Sequence, residues 1–334
     1  MVSQRRQIGR KRALSSHIVD VSAIAQEMRA PVRAYAQQHT VTLAGVLAGA
    51  DDCSYARVYS DWIAETFAHD GLHYQLHTLP SSASPRDVAK LIRSLNTQPD
   101  IHGILVFYPI FAHQPSTRRR WLHQATGVYY KTDDDWLRDV VHPAKDVEGL
   151  HQQMQQKFFQ ARAADRDQVY VPCTALAVQR IVAALRPKSG TTVTIVNRSE
   201  IMGRPLAALL SLQHGSTVYS VDETSILVFD KDGHAVRSTH TLEDCIGESS
   251  VVVTGVPDPH FEIPLAAIQP QTLLIDVSEY DNVAVDAVAA IPGVQVVSSI
   301  GKVTIAALEQ NLVQLHKTAA TTTTSTNVYN IENG

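Results

Sequence analysis

The residues best suited to chemistry by type and spacing lie in Thr192–Asp222, TVTIVNRSEIMGRPLAALLSLQHGSTVYSVD. Val193-Thr194-Ile195-Val196 is a β-branched run of the kind covered on both faces in a parallel sheet. The turn Asn197–Glu200 leads to Gly203-Arg204-Pro205, and Pro205 suits the first turn of a helix, which Gly215 would stop. A second strand, Thr217–Val221, ends at Asp222. A helix N-terminus facing a glycine-bearing turn offers N–H groups and a positive dipole end to a pyrophosphate. An acid about 20 residues further on is placed to accept hydrogen bonds from a ribose 2′-OH, and it would repel a 2′-phosphate. Gly203 is the one glycine of the turn, so the G-x-G-x-x-G fingerprint is absent. Two readings stay open on pattern alone: a nucleotide site, or an ordinary βαβ unit with a solvated aspartate. The same holds for Thr254-Gly255-Val256-Pro257, where a small residue at a strand end admits a cofactor or simply ends the strand.

The elements that must position these residues form two α/β halves. In the first, helices are predicted over 18–38, 54–69 and from Pro85 to about Leu95, with Ser84 as N-cap. Strands are predicted at Thr42–Leu47, His73–Leu79 and Ile101–Phe107. This β-α-β-α-β order implies a parallel sheet with right-handed crossovers. Ligands of such sheets bind beyond the carboxyl ends of the strands, which points to Asp51-Asp52, Phe107–Pro109 and the loop after Val141. In the second half a helix at Ala175–Leu185 precedes the βαβ unit. Strands follow at Ser250–Thr254, Leu273–Val277 and Val294–Val297, and a last helix runs from near Lys302 to about His316. The fold class is therefore α/β, a parallel-sheet domain followed by a Rossmann-type domain.

Composition narrows the class of protein. The 334 residues are 44% apolar, enough for a full core, and the net charge of −4 gives no electrostatic case for nucleic acid. No apolar run approaches the roughly 20 residues that span a bilayer. Cys53, Cys173 and Cys245 are odd in number and far apart, which implies neither a disulfide framework nor a metal cluster and fits a reducing compartment. The segment before Asp20 carries Arg5, Arg6, Arg10, Lys11 and Arg12 without an acid. It reads either as a mitochondrial presequence or as a short basic tail of a cytoplasmic protein. Residues 318–327 are low-complexity and expected to be mobile.

Six segments, in order, resemble the methylenetetrahydrofolate dehydrogenase/cyclohydrolase family. They are Asp51-Asp52 with its following tyrosine helix, His102–Pro109, Lys145–Leu150, Val171–Thr174, Asn197–Pro205 and Ile300–Ala306. The resemblance implies two α/β domains flanking a cleft that holds folate, with the nicotinamide cofactor on the second domain and the last helix returning to the first. Expected boundaries are 1–165 with helix 302–317, then 166–301, then a tail 318–334. It also implies a homodimer and a role in one-carbon metabolism and purine biosynthesis. Tyr59 matches the tyrosine of the family's Y-x-x-x-K, but Ile63 stands at the lysine. Phe107 stands where bifunctional members have glutamine. An isoleucine cannot shuttle a proton, so cyclohydrolase activity is expected to be lost. The pattern is similar to the monofunctional NAD-dependent dehydrogenases of fungi, with two alternatives: residual hydrolysis, or a silent NAD- or folate-binding scaffold.

The resemblance also suggests roles. Tyr59 orients the pterin and bridge region, beside Phe107 and Tyr108. Asp146 or Glu148 meets the pterin's 2-amino and N3–H edge; Glu148 departs from the usual aspartate. Cys173 is either a contact in the site or a buried small apolar group. Arg198, Ser199, Gly203, Val221, Asp222, Gly255, Val256, Pro257 and Thr304 match cofactor positions. Asp222 then predicts NAD rather than NADP, with Arg198 either paired to it or lining the adenosine pocket. Lys302, in place of a proline common in the family, meets a folate glutamate tail or faces water.

Overall fold

In the computed structural model of the chain, residues 17–49, 54–111, 130–161, 170–186 and 190–331 are described, with side chains for all of these except 213–214 and 322–331. The basic stretch before residue 17, Asp51-Asp52 and Cys53 lie outside the described residues. The chain divides into two compact units, one of residues 24–177 with 303–334, the other of residues 1–23 with 178–302.

The first unit is built on a three-stranded parallel sheet of order β2-β1-β3, with β1 Thr42–Ala48, β2 His73–Leu79 and β3 Gly103–Val106. Central β1 is buried almost throughout, whereas edge strand β2 is half-exposed along its length. That contrast matches TLAGVLA against the more polar HYQLHTL. Helix α1, Ser22–Ala36, buries Ala25, Met28 and Val32 and continues through Pro31. Helix α2, Tyr55–Asp70, starts at Ser54, whose hydroxyl accepts from Arg57 N. Helix α3, Pro85–Asn96, opens on a reciprocal capping box between Ser84 and Asp87, with proline at its first position. Its buried face, Val88, Ala89, Ile92 and Leu95, joins Val46, Ile104 and Val106 in one core. Each valine, isoleucine or leucine of this set contributes about 1.5–3 kcal/mol by leaving water.

Three further helices follow: α4 Asp133–Arg138 and α5 Gln152–Gln160 in this unit, and α6 Cys173–Leu185, whose first five residues belong to it and the rest to the second unit. Of these, α4 and α5 are additions to the predicted elements. Gly103 is needed where β3 meets its cover, because a Cβ there would lie 2.3 Å from Val147 Cγ1 and 2.6 Å from Leu312 Cδ1.

The second unit holds a seven-stranded sheet of order β10-β9-β8-β4-β5-β6-β7. Its parallel part comprises β4 Thr192–Val196, β5 Thr217–Asp222, β8 Val251–Thr254, β9 Leu273–Asp276 and β10 Gln295–Val297. Helix α7, Gly203–His214, connects β4 to β5 and ends at Gly215 in the left-handed region, φ 61°. An antiparallel hairpin, β6 Ser225–Phe229 and β7 Ala235–Ser238, extends the sheet beyond β5. The hairpin was not among the predicted strands. Short helices α8, Leu242–Gly247, and α9, Val285–Val288, lie between later strands. The last helix, α10, begins at Gly301; expected to end near His316, it runs to Ile331. Among the described residues no helix is long and apolar enough to cross a membrane.

Candidate active site

In the three-stranded unit, residues chosen at separate points of the chain come together beyond β3. Tyr59, half-buried on α2, meets Phe107 edge-on with ring centroids 6.5 Å apart, and Tyr55 stacks on it at 6.2 Å. Burial pushes the Tyr59 phenol well above its ordinary value, and the nearby Cys173, Tyr55 and Glu148 reinforce the shift. The phenol is therefore neutral, a hydrogen-bond donor rather than a base. One turn further on, Ile63 is 0% exposed.

The next segment is held in place by α4. Ile110 N and Phe111 N donate to the Asp134 carboxylate at 3.1 and 3.2 Å. Tyr108 lies under the Arg138 guanidinium, 5.3 Å from ring centroid to Cζ. Its hydroxyl is buried with no hydrogen-bond partner among the described residues. Beside this segment, Leu47–Gly49, Pro80, Ser81 and Phe107 help line a cavity of about 320 Å³ at the carboxyl ends of β1 and β2.

The loop Lys145–Leu150 divides its work between its charged residues. Lys145 Nζ donates to the carbonyls of Leu95 and Gln98 at 3.0 and 2.6 Å, and so caps α3. Asp146 is buried, and its carboxylate accepts from Glu148 N at 3.2 Å and His151 N at 2.7 Å. Burial pushes Asp146 up to about 6, against the opposing pull of those N–H groups. Glu148 differs: burial and neighbouring charges, not hydrogen bonds, act on its half-buried carboxylate among the described residues. Burial first, and the Asp146 charge second, push it up to about 8, while Arg138 opposes both. Asp146 shapes the loop, and Glu148 is the carboxylate left open to a ligand.

Cys173, the first residue of α6, is buried and donates its Sγ–H to Val147 O at 3.4 Å. Burial raises the thiol well above its ordinary value, with Glu148 adding to the effect, so it is neutral. Asn311, buried on α10, donates through Nδ2 to Val147 O at 2.8 Å and Val171 O at 2.9 Å. It ties the Glu148 loop to the segment before Cys173. Neither Asn311 nor Arg138 had stood out in the sequence.

In the seven-stranded unit the turn after β4 gathers most of the remaining candidates. Gly203 passes so close to that turn that a Cβ would lie 1.9 Å from Asn197 O and 2.9 Å from Arg198 Cα. A single glycine is what this turn requires. Asn197, at φ 113°, donates through Nδ2 to the Gly255 carbonyl and joins the ends of β4 and β8. Asn282 completes the junction, its Oδ1 accepting from Val256 N at 2.8 Å and Thr254 Oγ1 at 3.0 Å. The Ser199 hydroxyl accepts from Met202 N at 3.3 Å and Gly203 N at 3.4 Å, and the N-cap Met202 supplies no side-chain cap to α7. Gly255 and Val256 are half-buried, Pro257 is exposed and Val221 is buried.

Arg198 is committed to the β5–β6 hairpin. Its donors reach Ser220 Oγ at 3.2 Å, Ser225 Oγ at 2.9 Å and Ser225 O at 2.7 Å. Its Nη1 stands 3.8 Å from Asp222 Oδ2, and the Asp222 side chain is 48% exposed. Of the two expectations for Arg198, pairing with Asp222 is the one present. Lys302 Nζ donates to Ser22 Oγ at 2.7 Å. Thr304, half-buried on α10, belongs to the three-stranded unit rather than with the other cofactor candidates.

This donor set fits a dinucleotide that ends in a free ribose diol. An exposed carboxylate at the end of β5 would accept from hydroxyls, and the α7 N-terminus, where Ser199 Oγ takes only long bonds from Met202 N and Gly203 N, would turn N–H groups toward a phosphate.

Comparisons with known proteins likewise match the chain to two domains. Residues 19–120 match the catalytic domain of tetrahydrofolate dehydrogenase/cyclohydrolase, and residues 172–320 match its NAD(P)-binding domain. The chain belongs to this family. It is 33% identical over 294 residues, 82% of this chain and 84% of the relative, to methylenetetrahydrofolate dehydrogenase [NAD(+)] of Schizosaccharomyces pombe. The protein of the same name from Dictyostelium discoideum is 33% identical over 318 residues, 89% of this chain and 93% of that relative. Among solved structures, the NAD-dependent 5,10-methylenetetrahydrofolate dehydrogenase of Saccharomyces cerevisiae aligns with a TM-score of 0.75 at 26% identity, covering 91% of this chain and 98% of that one.

Proposed function

We propose that the chain oxidises 5,10-methylenetetrahydrofolate to 5,10-methenyltetrahydrofolate with NAD as the hydride acceptor, and that it does not hydrolyse the product. Ile63 carries the second half of this reading. It is fully buried one turn beyond Tyr59, and Phe107 closes the neighbouring side. Hydrolysis of the methenyl bridge needs a group that shuttles a proton from water. A packed isoleucine and a phenylalanine supply none.

Dehydrogenation asks less of these side chains. The two nitrogens flanking the bridge carbon stabilise the cation left behind, so no strong base is required. NAD, held by Asp222 and the turn around Gly203, would supply the hydride acceptor. The protein's task is to position the donor carbon. Glu148, when ionised, accepts from the pterin's 2-amino and N3–H edge. Tyr59 donates a hydrogen bond through its neutral phenol and packs against the ring system. Asp146 and Asn311 keep the loop in shape, and Cys173 fills the space beneath it as a neutral thiol. In the other unit Asp222 holds the ribose diol and disfavours a 2′-phosphate. Arg198, occupied by Ser220 and Ser225, is not free to recruit one.

A homodimer serving one-carbon metabolism and purine biosynthesis in the cytoplasm extends the same reading, on family resemblance; sedimentation of the purified chain tests the dimer. The loss of hydrolysis is tested by supplying 5,10-methenyltetrahydrofolate and following 10-formyltetrahydrofolate against the buffer-only rate. No acceleration is expected. An enhancement of about 100-fold or more, worth some 3 kcal/mol of barrier, would overturn that half of the reading.

A further inference from the structure

We propose that Arg138 is a positioning residue for the folate: laid over Tyr108 and tethered by Asp135, it holds the Tyr108 segment in place and supplies the positive charge against which Glu148 binds the pterin edge. This inference rests on the function proposed above and adds a residue that acts only through others.

Three features of the arrangement carry it. The guanidinium lies 5.3 Å from the Tyr108 ring centroid, and its Nη1 is fixed by Asp135 Oδ1 at 2.8 Å. Its side chain is 18% exposed, and its Nε is buried with no hydrogen-bond partner among the described residues. The buried Tyr108 hydroxyl likewise has none, and among the described residues the half-buried Glu148 carboxylate meets neighbouring charges, Arg138 among them, rather than a hydrogen-bond donor. A donor, a phenol and a carboxylate left unsatisfied beside one another form a place where a polar ligand edge is missing.

The electrostatics agree. The groups bearing on Glu148 and its surroundings are Tyr59 from α2, Tyr108 from the segment after β3, Arg138 and Asp134 from α4, Asp146 from its own loop and Cys173 from α6. Arg138 is the cation among them. Burial and Asp146 hold Glu148 up to about 8, and Arg138 pulls the other way. A protonated Glu148 cannot accept both donors of the pterin edge, so productive binding needs the anion.

The experiment compares full-length wild type, Arg138→Met, Arg138→Lys and Glu148→Gln at saturating NAD, recording kcat and KM for the folate across pH together with melting temperature. In wild type kcat/KM for the folate rises with pH to an inflection near 8. Glu148→Gln abolishes that inflection. Arg138→Met moves it up by about one unit and raises KM about tenfold, with kcat within about threefold, because the lost interaction serves binding. Arg138→Lys, which keeps the charge, restores the inflection. If the Met variant does not fold, Arg138→Gln makes the same comparison. A melting-temperature loss with KM and inflection both unmoved overturns the inference, as does a Lys variant that behaves like Met. A wild-type protein inactive toward the folate refutes the proposed function itself; an active wild type with an unchanged Arg138→Met profile refutes this inference alone.

Discussion

Replacing Asp222 by serine should move the enzyme from NAD toward NADP, and the size of the shift follows from the site. Asp222 ends β5 with its side chain 48% exposed, so a 2′-phosphate placed within about 5 Å would meet it through a partly screened medium. With an effective dielectric of about 40, each pair of unit charges at about 5 Å costs roughly 1.7 kcal/mol, and a phosphate carrying about 1.5 to 2 charges would cost about 2–3 kcal/mol. Arg198 Nη1, 3.8 Å from Asp222, is the neighbouring cation that offsets part of this cost. On the NAD side, exchanging carboxylate for hydroxyl weakens the hydrogen bonds from the ribose diol by about 1 kcal/mol. The ratio of kcat/KM with NAD to kcat/KM with NADP should therefore fall by about two orders of magnitude, at about 1.4 kcal/mol per tenfold change. The assay is initial-rate oxidation of 5,10-methylenetetrahydrofolate with each cofactor varied in turn, at low and high salt. High salt should shrink the wild-type preference, because part of it is Coulombic. A ratio that moves less than about threefold refutes the electrostatic argument.

Other side chains give shorter tests. Burial and the adjacent Asp70 push Glu309 up to about 8, so the folded chain holds a proton that the unfolded chain releases near 4.5; stability must fall as pH rises between those values. Denaturant melts at the two ends of this window should show Glu309→Gln more stable than wild type at the alkaline end by on the order of 2 kcal/mol, with little gain at the acid end; equal stabilities at the alkaline end contradict the reasoning. Cys173→Ala should keep kcat within about threefold, because a neutral thiol that donates to Val147 O serves packing; a loss of about 100-fold would return the thiol to the chemistry. Asn311→Ala should cost about 2–3 kcal/mol in chemical denaturation, since it leaves two buried carbonyls short of a donor, and should raise KM for the folate more than for NAD. An Asn311→Ala variant that melts like wild type removes that residue from the support of the Glu148 loop.

Much of this architecture is written in local pattern. The run TLAGVLA, the Ser84-Pro85 helix start and the helix ending at Gly215 each depend on neighbouring residues, and each lies where the pattern predicts. The β6–β7 hairpin had a signal too: Asp232-Gly233 follows the apolar run Ile226–Phe229, with Gly233 at φ 82°. The segment between Asp222 and Ser250 carries no predicted element, and the hairpin lies there. Helix α4 was likewise announced by its Thr132–Asp135 capping box. The site divides in the same way. Asp222 was visible from its place at a strand end, and Tyr59 only from its match to the tyrosine of the family's Y-x-x-x-K. Asn311 was not, because its partners Val147 and Val171 are 164 and 140 residues away in sequence. Asp146 and Glu148 look interchangeable in sequence. Only the loop's own N–H groups, turned onto Asp146, separate their roles.

The decisive measurement supplies the purified chain with 5,10-methylenetetrahydrofolate and either NAD or NADP, while methenyl absorbance and reduced cofactor are recorded together. Methenyl and NADH should appear in equal amounts, with NADP slower by about two orders of magnitude at equal concentration, and the methenyl product should decay no faster than in buffer. No turnover with either cofactor, or equal turnover with both, would contradict it.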